Sequence, residues 1–150
     1  MITREFGGKP RRACSQCKYV HFIEPRVGVG VAVVEGSSIL LVQRGFAPEK
    51  GKWSLPAGFL DHGDDPRQQA ILEAHEETNL DVSLTALAGV FHNPPGEGGA
   101  SVFILYWAER IGGQLRAGDD AVAAAFFERD ALPEIAFAST RHVIELMQDP

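Results

Sequence analysis

Three glutamates, Glu73, Glu76 and Glu77, are spaced i, i+3 and i+4. On a helix that turns about 100° per residue, their side chains share a face. Such like-charge neighbours cost about 0.2–0.5 kcal/mol a pair, and a solvated helix face normally intersperses cations. Here the i±4 positions hold Gln69, Leu72 and Asp81, so no basic side chain relieves the trio. A divalent ion would, because Mg²⁺ takes hard oxygen donors, commonly one or two carboxylates together with substrate phosphate oxygens. A solvated acidic face is the competing reading, and the missing cations weigh against it.

The elements that must position these carboxylates are legible around them. Asp65 can cap a helix, Pro66 suits its first position and Gln68 completes a capping-box pattern, so the pattern predicts a helix over 66–78. Asn79 tolerates the left-handed conformation that closes a helix. The preceding loop, 58–64, contains Gly58 and Gly63 and is short enough to approach a phosphate closely. Upstream, 27–34 and 39–43 flank the turn residues of 35–38 and read as a hairpin, and 53–59 is a short extended piece broken by Pro56 and Gly58. Further strands are expected at 82–90, 101–109 and 122–128, and a last helix at 139–147. This order predicts an α/β fold with a mixed sheet between helices.

The 150 residues fit one globular domain over 27–150, with the polar stretch 1–26 as an arm or small knuckle before it. The net charge of −6 is uneven: 1–26 carry six Lys/Arg against two Asp/Glu, and the remainder eight against eighteen. An acidic body argues against nucleic acid as a partner, since phosphate binding needs clustered basic groups. No apolar run approaches the roughly 18 residues of a membrane span, and no apolar segment follows the basic N-terminus as in a secretory signal. The expectation is a cytoplasmic protein with no membrane partner. Cys14 and Cys17 form a single C-x-x-C, which fits a reducing compartment better than a structural disulfide.

The segment 58–80, GFLDHGDDPRQQAILEAHEETNL, resembles the Nudix (MutT-like) box, G-x5-E-x7-R-E-U-x-E-E-x-G-U with U a bulky apolar residue. Gly58, Glu73, Glu76, Glu77 and Leu80 match it, and the approach 51–58, GKWSLPAG, is similar to the one many members carry. Three positions depart: Asp64 replaces the first Glu, Leu72 the Arg and Asn79 the Gly. The resemblance implies a Nudix α/β/α sandwich and a pyrophosphatase dependent on Mg²⁺ or Mn²⁺, with Glu73, Glu76 and Glu77 as metal ligands. Glu76, Glu97 and Asp120 are the candidates for activating water, and Arg44, Phe46, Gly58 and Phe91 those for contacting substrate. Asp64 would brace the loop. Because the family's arginine orients neighbouring carboxylates, Leu72 implies weakened or lost activity. His62, His75, His92 and His142 are given no role.

Cys14, Cys17 and His21 resemble half of the zinc ribbon that precedes the domain in NADH pyrophosphatases. Structural zinc wants four ligands, so a metal-free remnant is favoured over a zinc site. Pro94 and Pro95, a little beyond the box, are similar in placement to a proline of ADP-ribose pyrophosphatases. The favoured substrate is therefore a small nucleoside diphosphate derivative of the ADP-ribose kind. A nucleotide-binding sensor module and a house-cleaning nucleoside triphosphatase stand as alternatives. Relatives of this size are often dimers, so a homodimer is the analogous assembly.

Overall fold

The computed structural model describes residues 1–94 and 99–147. Strands β1 (Ile2–Phe6), β2 (Lys9–Ala13) and β3 (Val20–His21) pair antiparallel into a small sheet of their own. The sequence predicts an arm or small knuckle over these residues without resolving strands in it. Strand patterning arises when one face is buried, and β1 is exposed at every position.

The main sheet begins with β4 (Val27–Glu35) and β5 (Ser38–Arg44), the expected hairpin. They pair only near the turn, at Val34↔Ile39 and Glu35↔Ser38. Beyond it the strands part to admit β6 (Trp53–Ser54) on β5 and β7 (Ala57–Phe59) on β4. Gly30 permits this wedge, since a Cβ there would lie 2.7 Å from the Pro56 carbonyl oxygen.

Then come α1 (Pro66–Thr78), β8 (Leu80–His92), β9 (Val102–Gly113), β10 (Ala121–Glu128) and α2 (Ala138–Glu145). Helix α1 has the bounds its caps predict, and α2 begins and ends slightly earlier than expected. Strand β8 outruns the expected 82–90 at both ends, and β9 begins one residue after the expected 101–109 but runs on past its end. Their pairing shifts register between Asp81 and Val82, Leu84 and Ala86, and Leu87 and Gly89. Each shift breaks the period-two alternation that makes a strand readable.

The main sheet runs β10-β5-β4-β9-β8, with β4 parallel to β9 and the other neighbours antiparallel. Alternation along β4 makes two cores. Val29, Val31 and Val33 pack with Ala70 and Ala74 of α1, while Ala32 joins Leu105, Val143 and Ile144 on the α2 side. The result is the expected α/β/α arrangement around a mixed sheet. Among the described residues no helix is long and apolar enough to cross a membrane.

Candidate active site

Helix α1 is fixed at both ends. The Asp65 side chain accepts from Arg67 N at 2.9 Å and Gln68 N at 3.1 Å, and Asn79 closes the helix at φ 58°. Ala70 and Ala74, small and fully buried, let α1 lie close on the sheet. Measured from Ala70 at about 100° per residue, Glu77 falls about 20° away, Glu73 about 60° and Glu76 about 120°. Burial follows that order: Glu77 is 7% exposed, Glu73 half-buried and Glu76 exposed. The trio is thus a graded set spanning the edge of the helix interface rather than one uniform face.

Glu73 lies over β7. A Cβ added to Gly58 would overlap its carboxylate, so the glycine makes its seat. Gln69 Nε2 donates to Glu73 Oε1 at 2.9 Å from one turn upstream. Burial, with smaller contributions from the charges of Glu76, Asp119 and Asp120, raises the Glu73 pKa above the ordinary carboxylate value, and the Gln69 hydrogen bond opposes the rise.

Glu77 faces inward, where Ala57 N donates to its Oε2 at 3.3 Å. Burial, then the charges of Glu73, Asp119 and Asp120, push its pKa up to about 8, against the hydrogen bond from Ala57. Proximity to cationic charge would return it to the ionised form.

A second segment meets the helix from the chain beyond β9. Arg116 N donates to Thr78 O at 2.9 Å and Gly118 N to Glu77 O at 3.1 Å, occupying carbonyls that the end of α1 leaves free. Ala121 N closes a turn onto Gly118 O, with Asp119 in the left-handed region at φ 48°. Among the described residues, Glu73, Glu76 and Asp119 each bring an oxygen within 4.8 Å of the others. Such a donor set, all carboxylate oxygen, fits a hard divalent ion. Asp119 was not singled out from the sequence. Its signal in the sequence is the acidic pair after Gly118, of which Asp120 is the member the sequence points to. Asp120 still acts electrostatically on Glu73, Glu77 and Arg44.

The other expected residues divide. Arg44 is half-buried, donates from Nε to Pro48 O at 2.8 Å and lies over the Phe137 ring at 4.8 Å. Burial lowers its pKa, while Glu77, Asp120 and Glu49 favour its charge, so it belongs to the electrostatic surroundings of the acidic site. Phe46 is 53% exposed. Phe91 packs against the α2-side core and meets His142 edge-on, 5.6 Å between centroids. Glu97 lies outside the described residues. Asp64 Oδ2 accepts from Asp61 N at 2.8 Å and Asp64 N donates to Asp61 O at 3.2 Å, so it closes its loop as expected.

At the N-terminal sheet, Lys18 N donates to Cys14 O and Cys14 N to Tyr19 O. Backbone donors from Cys17 and Gln16 lower the Cys14 thiol pKa. Among the described residues neither His21 nor another ligating side chain joins the cysteine pair in a metal-sized group.

Fold and site together define an α/β/α domain built around a helix-borne carboxylate cluster beside a glycine loop. The NUDIX domain model matches residues 24–147, and the chain belongs to the Nudix family of pyrophosphohydrolases. An ADP-ribose pyrophosphatase of Methanocaldococcus jannaschii is 34% identical over 132 residues, 87% of this chain and 78% of that protein. The NAD-capped RNA hydrolase NudC of Vibrio atlanticus is 31% identical over 137 residues, 88% of this chain, which spans only 49% of that protein. A NUDIX hydrolase of Nitrosomonas europaea superposes with a TM-score of 0.84 at 30% identity, covering 96% of this chain and 82% of the other.

Proposed function

We propose that this chain hydrolyses the pyrophosphate bond of a small nucleoside diphosphate derivative, ADP-ribose in particular, with Mg²⁺ or Mn²⁺. The observation that carries the reading is the convergence of Glu73, Glu76 and Asp119 within 4.8 Å from separate parts of the chain. A divalent ion held there would neutralise pyrophosphate charge and make water more acidic. Glu73, Glu76 and Asp119 would hold the ion and Glu77 would reinforce the charge from behind, with Glu76, exposed at the rim, also the candidate to take a proton from water. Asp120 is the alternative base, and Arg44 and Phe46 flank the approach. The kinship to an archaeal ADP-ribose pyrophosphatase over 87% of the chain supports the substrate class.

The test is a substrate panel of ADP-ribose, NADH and nucleoside triphosphates incubated with Mg²⁺, with products separated by chromatography. AMP and ribose 5-phosphate from ADP-ribose as the fastest reaction is the expected result. Fastest release of inorganic pyrophosphate from a triphosphate would replace this reading with the house-cleaning one.

A further inference from the structure

Leu72 occupies the place where the Nudix resemblance implies arginine, and it is 46% exposed, turned away from the core. Its side chain carries no donor, so it cannot orient a carboxylate. Glu73 is nevertheless held: Gln69, one turn earlier on the same face, donates from Nε2 to its Oε1 at 2.9 Å. On the other side the carboxylate rests over Gly58, with no room to sink farther. We propose that Gln69 is the positioning residue for Glu73, supplying from i−4 the hydrogen bond that the family's arginine supplies from the adjacent position.

This role for Gln69 rests on Glu73 serving as a metal ligand. An i, i+4 pair on a helix is close enough for a side-chain amide to reach a carboxylate without straining either residue. The amide donates to Oε1 of Glu73, and a carboxylate oxygen of Glu73 lies within 4.8 Å of those of Glu76 and Asp119. Unlike a guanidinium, the amide brings no positive charge into the cluster, so the full negative charge remains to attract a cation. Leucine at position 72 is then a tolerated exchange, because the donor has moved rather than vanished.

The experiment is a Mn²⁺ titration followed by electron paramagnetic resonance, on wild type, Gln69→Leu, and Gln69→Leu with Leu72→Arg. Thermal melts in chelator run alongside. Removing a group that orients a metal ligand costs about ten- to a hundredfold in metal affinity. Gln69→Leu is therefore expected to raise the Mn²⁺ dissociation constant by at least about tenfold, with the metal-free melting temperature unchanged. Leu72→Arg is expected to recover most of that loss. If the leucine variant does not fold, Gln69→Ala removes the same donor with less bulk and is read in the same way. A wild-type dissociation constant in the Gln69 variant, or a loss that Leu72→Arg leaves in place, overturns the assignment of Gln69 alone. Wild type that binds no Mn²⁺ overturns the metal reading along with it.

Discussion

Glu73 lays its carboxylate over the Cα of Gly58, in the space that any side chain at position 58 would fill. The contact joins the helix to the loop, and it makes the glycine a condition for where the charge stands. Gly58→Ala is expected to push Glu73 out of the cluster while leaving both elements folded, because the atoms displaced are the far end of a flexible side chain. A fall in kcat of about tenfold or more corresponds to ~1.4 kcal/mol of lost transition-state stabilisation. Steady-state kinetics beside a thermal melt decide it, and unchanged kcat would mean that Glu73 can work from elsewhere.

Asp119 and Asp120 are neighbours in sequence with different places in the site. Asp119→Asn removes a member of the cluster and is expected to weaken Mn²⁺ binding by about tenfold, the low end of what a lost metal-site partner costs. Asp120→Asn, which removes a charge near the cluster but no member of it, is expected to weaken it less. Calorimetric titration of both variants gives the order, and the reverse order would return the ligand role to Asp120.

How far the sequence reaches is clear from this pair. The bounds of α1 were legible because Asp65, Pro66 and Asn79 act locally, within a turn of the residues they cap. That Glu77 lies inward and Glu76 outward follows from its spacing from Ala70, yet only if one knows which helix face meets the sheet. Asp119 reaches the cluster through hydrogen bonds from 116 and 118 to the end of α1, a contact across some forty positions that no local pattern encodes. Strand β1 was hidden for another reason, since a strand exposed at every position writes no alternation into its residues.

A pH effect is expected at the outer edge of the sheet. Glu128 on β10 accepts hydrogen bonds from the hydroxyls of Ser37 and Ser38, the latter at 2.6 Å, and these hold its pKa below the usual 4.5. A depressed carboxylate stabilises the fold fully above its unfolded pKa, and that contribution is lost as pH falls through the folded value. The melting temperature of wild type should therefore drop more steeply than that of Glu128→Gln below about pH 4.5. Parallel curves for the two proteins would assign the acid sensitivity to other groups.

Leu72→Arg by itself places a guanidinium on a surface that is already 46% exposed. The expected change in stability is within about 0.5 kcal/mol, as for surface substitutions generally. Urea denaturation measures it. A loss of several kcal/mol would show that position 72 is covered, for instance by a second copy of the chain, and that the charge is being buried unpaired.

The central claim is that Glu73, Glu76 and Asp119 hold a divalent ion that pyrophosphate hydrolysis requires. The most direct measurement is the initial rate of AMP release from ADP-ribose as Mg²⁺ is added to chelator-treated protein, in wild type and in Glu73→Gln. Wild type should rise from no activity to saturation, and Glu73→Gln should need far more Mg²⁺ and reach a much lower rate. Hydrolysis that proceeds in chelator, or a variant whose Mg²⁺ dependence overlays that of wild type, would contradict the account.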